Sequence, residues 1–386
     1  MIIEREIYKE IKAVVDSPEA VVITGMRRVG KTTLLRYIME RIESKNKVFL
    51  DLENPANRKY FEEENYEKIF DNLRFLGLSS EGKGYVFLDE AQFVKNLPSV
   101  VKYLLDHHGI KFFVSGSSSF YLKNLFSESL SGRKYIFELY PLCFKEFLAI
   151  RNSDVKIPEE MTSAVFDELS RYYDEYILYG GFPGVVQKEN IAEKKMMLQD
   201  IFSAYFQLEI AQLSEFKKPN VVRDLILLLI ERTGSRIDVQ KLSKELGVAR
   251  QTVAGYLSFL EDTYFISLVR PFSKNRDSEI RVASKFYLCD TGLINEFSKM
   301  PEGRLFENAV FLALRQKGEV NYFQRKSGVE IDFIFQKRKA YEVKTSAREE
   351  DVKKLKTLSE DIGINEYSII SRRYSLLSHV IFAMNL

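Results

Sequence analysis

Three groups of residues in this chain have types and spacings suited to chemistry. The first is Gly25-Met26-Arg27-Arg28-Val29-Gly30-Lys31-Thr32, which reads G-x-x-x-x-G-K-[ST], a phosphate-binding loop. Its glycines let the backbone turn N–H groups toward a phosphate chain. A helix starting there would add the partial positive charge of its N-terminus. Lys31 would reach the β- and γ-phosphates of ATP, and Thr32 would hold Mg²⁺. The expected contacts to ATP are Gly25, Arg27, Arg28, Val29, Gly30, Lys31, Thr32 and Thr33. Arg27 and Arg28 would add charge near the phosphates or bind a neighbouring element.

The second group follows in sequence. Tyr85-Val86-Phe87-Leu88-Asp89-Glu90 is an apolar run ending in two acids, the pattern of a second nucleotide-binding motif. Asp89 would orient Mg²⁺ directly or through water, and Glu90 would position and deprotonate the attacking water. Lys111 to Ser118 is a further apolar run ending in small polar residues. Ser115 or Ser117 there would sense the γ-phosphate or the water, or form a plain serine-rich loop. Arg133 is an arginine-finger candidate for the developing phosphate charge, or an exposed solvated arginine. Acting in trans, it would need a homo-oligomer.

The third group lies near the end of the chain. Glu307 falls in a helical stretch, Gly328 to Phe335 alternates like a strand, and Ala340 to Lys344 is a second strand after a polar turn. Glu342 and Lys344 are two apart and share a face. A turn near Lys337 would put Asp332 opposite Glu342. Asp332 and Glu342, with Lys344 beside them and Glu307 from the helix, would hold one or two Mg²⁺ ions through oxygen ligands. Such a site would activate water against a phosphodiester, with Lys344 stabilising charge or orienting the water. The competing reading is a surface hairpin with salt-bridging charges.

These residues need elements to position them. Ala20 to Thr24, Lys47 to Glu53, Tyr85 to Asp89, Lys111 to Ser115 and Tyr135 to Leu139 read as strands alternating with helices, which implies a parallel sheet covered by helices. Ligand would bind at the carboxyl ends of the strands, where Lys31, Asp89 and Ser115 fall. Residues 1–140 would form this core, and residues 141–216 a helical lid interrupted by the stiff turn Gly180-Gly181-Phe182-Pro183-Gly184. Residues 217–300 carry helix-turn-helix spacing around Gly247-Val248. Arg250, Gln251 and Thr252 would face a duplex, and Arg270, Lys274, Arg276, Arg281 and Lys285 would contact its phosphates. The same winged helix would serve equally for contacts with a protein partner. Residues 301–386 would hold the third group.

Composition narrows the classes. The net charge of +2 provides no global field, so any basic surface is local. Two cysteines, Cys143 and Cys289, and three histidines fit a reducing compartment and give poor support to a thiolate cluster, a zinc site or a Ser/His/Asp triad. The first residues do not read as a signal peptide. The densest apolar run, Leu225 to Ile230, is far too short to span a bilayer. The expectation is a cytoplasmic protein with no membrane contact.

Taken in order, these parts resemble a family of archaeal and bacterial AAA-like ATPases. Its members join an ATPase core and winged helix to a C-terminal PD-(D/E)xK nuclease-like domain. The stretches that carry the resemblance are Gly25 to Leu35, Phe87 to Gln92, Ser115 to Ser119, Gly180 to Pro183, Cys289 to Leu293, Leu305 to Asn308 and Glu342 to Lys344. Ile331 stands where that nuclease pattern has a proline before its Asp. The resemblance implies an α/β fold, ATP hydrolysis, Mg²⁺ dependence and association with DNA. The leading expectation is an ATPase coupled to DNA binding or cleavage. The alternative is a nucleotide-controlled switch whose C-terminal domain binds a partner without catalysis.

Overall fold

The structure, a computed structural model, describes residues 3–116, 130–151, 154–210, 218–273, 283–325 and 327–386. It forms two compact units, Met1–Tyr140 with Asp262–Tyr264, and Pro141–Glu261 with Phe265–Leu386. Among the described residues, no helix is long and apolar enough to cross a membrane. Ser117, Lys274, Arg276 and Arg281, named above, lie outside the described residues.

The first unit is built on β1 (Ala20–Thr24), β2 (Lys47–Asp51), β3 (Tyr85–Asp89), β4 (Lys111–Ser115) and β5 (Lys134–Glu138). All pair in parallel in the order β2-β3-β4-β1-β5. β1, β3 and β4 are buried along their whole length, which explains their unbroken apolar runs. The helices are α1 (Tyr8–Ala13), α2 (Lys31–Arg41), α3 (Pro55–Arg58), α4 (Tyr66–Phe75) and α5 (Leu97–His108). Ile69 and Leu73 of α4 and Val100, Val101 and Leu104 of α5 join Val22, Leu50, Leu88 and Val114 in one core. His107 and His108 end α5 beside Gly109, a left-handed C-cap, and the His108 ring stacks on Phe70. β2 stops at Asp51 rather than running to Glu53, because Asn54 caps α3 through the Ala56 N–H.

The second unit begins with α6 (Phe144–Arg151), α7 (Ser163–Tyr179), α8 (Pro183–Val186) and α9 (Ile191–Tyr205). Next come α10 (Pro219–Glu231), α11 (Val239–Leu246), α12 (Arg250–Asp262) and the antiparallel pair β6 (Ile266–Val269) and β7 (Lys285–Leu288). Asp238 caps α11 and left-handed Gly247 ends it. Val253, Leu257 and Leu260 are buried, while Arg250 and Gln251 are exposed. The Gly180 turn has a structural task. Asp290, at the start of α13 (Thr291–Phe297), accepts N–H bonds from Gly181, Gly292 and Leu293 at 2.7, 2.8 and 3.2 Å. A Cβ at Gly180 would collide with that carboxylate.

After α14 (Glu302–Arg315) comes a sheet of β8 (Val320–Gln324), β9 (Glu330–Phe335), β10 (Lys339–Lys344), β11 (Glu366–Ser371) and β12 (Val380–Phe382). Its order is β12-β11-β10-β9-β8. β8, β9 and β10 pair antiparallel; β10, β11 and β12 pair parallel. The hairpin between β9 and β10 turns through Gln336 and Lys337, both at positive φ. α15 (Glu349–Asp361) covers the sheet through Leu355 and Leu358, against Ile331, Ile334 and Ile369.

Candidate functional site

In the first unit the phosphate loop leaves β1, which sits between β4 and β5. That is the switch point at which ligands bind open parallel sheets. Gly25 has φ +145, and a Cβ there would collide with the Leu139 carbonyl oxygen. Gly30, at φ +98, is the N-cap of α2, provides no capping side chain, and is followed by a first turn without acids. The first N–H groups of α2 therefore meet no competing carboxylate of their own helix. Lys31 is buried and donates to the carbonyls of Gly25 and Met26 at 2.8 and 2.9 Å. Thr32 and Thr33 are exposed, Arg27 is half-buried, and Arg28 is exposed at φ +65. Arg5, which the sequence did not single out, is buried and donates to the Val29 and Tyr140 carbonyls at 2.9 and 2.7 Å.

Asp89 and Glu90 emerge at the end of β3. Asp89 is buried, and its Oδ1 accepts the Glu90 N–H at 3.1 Å. Glu90 takes a left-handed backbone, and its carboxylate accepts from the Gln92 amide at 2.5 Å. Ser115 departs from the expectation of a sensor reaching the phosphate. It is fully buried and gives its hydroxyl to Asp89 Oδ1, so it positions that carboxylate. Arg133, the arginine-finger candidate, lies at the other end of the sheet. Its carbonyl accepts the N–H of Ala20 at the start of β1, so it lies at the amino ends of the strands, a strand length from the loop. Its guanidinium pairs with Asp106 at 2.8 Å on the surface. Arg133 is therefore out of reach of a phosphate held by its own loop.

The second unit holds a separate charged cluster. The register of β9 and β10 pairs Tyr341 with Phe333, and its continuation sets Glu342 opposite Asp332. Asp332 Oδ2 accepts the Val343 N–H at 2.8 Å, and Lys344 Nζ donates to Glu342 Oε1 at 2.8 Å. Glu307 of α14 accepts the Tyr287 hydroxyl at 2.6 Å. Glu307, Glu330, Asp332, Glu342, Lys344 and Lys354 line a cleft of about 730 Å³.

Lys285 belongs to this cluster and not to an exposed duplex-binding surface. Its ammonium is nearly buried, 3.1 Å from Glu330 Oε1 and 3.8 Å from Glu307 Oε1. Tyr287, two residues on in β7, projects the same way. Neither residue has the motif spacing of the hairpin. The available signal was an alternating β7 with a lysine and a tyrosine on one face, which reads equally as an ordinary amphipathic strand.

Burial pushes Glu307 up to about 7, with the charge of Asp332 adding and Lys285 opposing. Burial also pushes Glu342 up to about 7, again with Asp332 adding and Lys344 opposing. Asp332 is raised by burial against the pull of Lys285. Burial works to lower Lys285, but Glu307, Asp332 and Glu330 outweigh it and its pKa rises. Among the described residues, no three His, Cys, Asp or Glu side chains are disposed to hold a metal ion. The group sets four carboxylates, Glu307, Glu330, Asp332 and Glu342, among Lys285, Lys344 and Lys354.

A parallel sheet with a phosphate loop after β1 and an acidic end on β3 defines a P-loop protein of the AAA type. Residues 17–148 match the family model described as AAA domain. Residues 170–303 and 302–378 match two domains of unknown function, DUF8612 and DUF4143. The chain is 30% identical over 368 residues to uncharacterized protein MJ1544 of Methanocaldococcus jannaschii, covering 90% of this chain and 80% of that protein. It is 29% identical over 330 residues to an uncharacterized protein of Haemophilus influenzae, covering 82% and 79%. The chain belongs to the same family as MJ1544, and its residues 17–148 carry the AAA domain. Among solved structures, the S. cerevisiae Hsp104-ADP complex aligns with 68% of this chain and 40% of its own, at 14% identity and a TM-score of 0.32. That likeness is too distant to bear on function.

Proposed function

We propose that this protein is a Mg²⁺-dependent ATPase whose nucleotide cycle controls how its second unit engages DNA. The observation that carries the reading is the loop itself, with Lys31 folded onto the Gly25 and Met26 carbonyls at the uncapped start of α2. Lys31 would exchange those carbonyls for the β- and γ-phosphates, a stronger charge-assisted contact. Asp89, held by Ser115, and Thr32 would take Mg²⁺, which neutralises charge on the phosphates. Glu90 would orient the attacking water and accept its proton, with Gln92 fixing the carboxylate. Arg133 would serve only in trans, within a homo-oligomer.

DNA engagement is supported by α11, the Gly247 turn and α12, a helix-turn-helix arrangement with Arg250 and Gln251 exposed at the start of its second helix. In this reading β6 and β7 form the base of a winged helix. Phosphate release by the purified chain tests the first part, with Lys31→Ala and Glu90→Gln as controls. Fluorescence anisotropy of labelled duplex, with and without a non-hydrolysable ATP analogue, tests the second. Release no faster than that of Lys31→Ala, or DNA affinity indifferent to nucleotide, overturns the corresponding part.

Cleavage is a second reading, favoured by Asp332, Glu342 and Lys344 in one cleft. Asp332 and Glu342 alone would supply protein ligands for Mg²⁺, a number that ion accepts when water and substrate oxygens complete its shell. Supercoiled, linear and single-stranded DNA incubated with Mg²⁺ or Mn²⁺ should then be cut by the wild type and not by Lys344→Ala. Intact DNA in every arm leaves the C-terminal domain as a non-catalytic binding module. In that case the C-terminal domain docks a partner elsewhere than through these residues, and Asp332→Ala and Lys344→Ala should leave nucleotide-controlled partner binding unchanged.

A further inference from the structure

Between α12 and β6 the chain makes a local excursion. Asp262–Tyr264 belongs to the first compact unit, whereas Glu261 and Phe265 belong to the second. Tyr264 has φ +63, a conformation that bulky side chains rarely take, and is 2% exposed. Its phenol oxygen lies 2.7 Å from Thr24 Oγ1 and 2.9 Å from Glu138 Oε1. A carboxylate only accepts, and the phenol has one proton. Tyr264 therefore donates to Glu138, and Thr24 donates to Tyr264. The other Glu138 oxygen takes the Tyr140 hydroxyl.

Thr24 and Glu138 are direct partners at the carboxyl ends of β1 and β5. Thr24 is fully buried and immediately precedes Gly25, the first residue of the phosphate loop. The phenol is thus tied to the peptide from which the loop departs. A shift of that peptide when Lys31 exchanges the Gly25 and Met26 carbonyls for a phosphate would therefore bear directly on the phenol. Thr24 and Tyr264 are both buried, so breaking the bond between them leaves polar atoms without water.

We propose that Tyr264 is a positioning residue for the phosphate loop and the link that carries nucleotide occupancy to the connection between α12 and β6. A shift at Thr24 moves the phenol. The left-handed backbone of Tyr264 has little slack to absorb that shift, so it passes to Phe265 and the start of β6. This rests on the ATP-binding reading of the loop.

Amide hydrogen exchange of the full-length protein, with and without a non-hydrolysable ATP analogue, tests it after direct titration of nucleotide binding. The wild type should show a nucleotide-dependent change in exchange across residues 256–270. Tyr264→Phe keeps the ring and removes the hydroxyl; it should bind the analogue, lose that change, and raise KM for ATP about three- to tenfold. Thr24→Val removes the same bond from the other side and should behave alike, even if Tyr264→Phe fails to fold. Thr24→Ser should restore the response. Tyr140→Phe, which touches Glu138 but not Thr24, should retain it. A wild type that binds the analogue with unchanged exchange at 256–270 overturns this proposal alone. So does a Tyr264→Phe or Thr24→Val protein with wild-type KM and an intact response. A wild type that binds no ATP removes the basis of both proposals.

Discussion

The phosphate loop and the C-terminal cleft place charge in different ways. The loop draws its donors from consecutive residues on one strand-to-helix turn, with Lys31 resting on carbonyls and no carboxylate in the first turn of α2. The cleft draws on β7, α14, β9 and β10, and Lys285 and Lys344 there already face acids. A lysine that exchanges carbonyls for an anion gains a charge-assisted contact. A lysine between carboxylates must break an ion pair before it can greet one. The first arrangement is poised for an anion. The second is paired, and removing either sign leaves the other uncompensated.

That contrast can be broken by substitution. The largest effect should come from Lys31→Ala, with kcat/KM for ATP falling about 100-fold or more, measured by steady-state phosphate release. The fold should survive, because the Lys31 bonds to Gly25 and Met26 go to carbonyls of the loop itself. A loss of secondary structure by circular dichroism would show that the lysine holds the loop together instead.

Lys285→Met should do the reverse. It should spare ATP hydrolysis while lowering unfolding stability by about 3 kcal/mol, because Glu307 and Glu330 lose their shared cation. Chemical denaturation at pH 7.5 reads this directly. A loss under about 1 kcal/mol would mean that solvent already screens the pair.

A smaller effect separates the sites by pH. Glu307 and Glu342 are each pushed up from 4.5 to about 7 in the fold. Between those values the folded chain holds protons that the unfolded chain has released. Their contribution is therefore present at low pH and lost as pH rises through about 7. Glu307→Gln should narrow the difference in thermal midpoint between pH 5.5 and pH 8 relative to wild type. An unchanged difference would remove Glu307 from the titrating set.

The smallest effect belongs to Arg133→Ala. Its ion pair with Asp106 is solvent-exposed, so stability should change by about 0.5 kcal/mol or less. Hydrolysis by dilute protein should not change. A loss that grows with protein concentration would instead reveal an arginine acting on a neighbouring copy.

The degree to which each site was legible follows from how it is built. Gly25 to Thr32 reads plainly because one loop conformation requires those residue types at those positions, whatever surrounds it. The strand runs Tyr85–Asp89 and Lys111–Ser115 read equally well, because strands covered on both faces must be continuously apolar. The hairpin was legible from the two-residue period of Glu342 and Lys344. Ser115 was harder. Its place at the end of β4 could be read, but the direction of its hydroxyl toward Asp89 depends on the neighbouring strand.

Sequence by itself determined the parts whose chemistry is local: the phosphate loop, the acidic end of β3, the parallel sheet beneath them and the Glu342–Lys344 face. Only tertiary structure decided which charges meet. Lys285 looked like one of several surface cations flanking a hairpin, yet it is enclosed beside Glu307 and Glu330. Tyr264 carries no motif in the sequence, yet its hydroxyl holds the residue before Gly25. The physical reason is range. Backbone conformation and strand period are dictated by neighbours along the chain, whereas an ion pair or a buried hydrogen bond is set by whichever side chain the fold brings within about 3 Å.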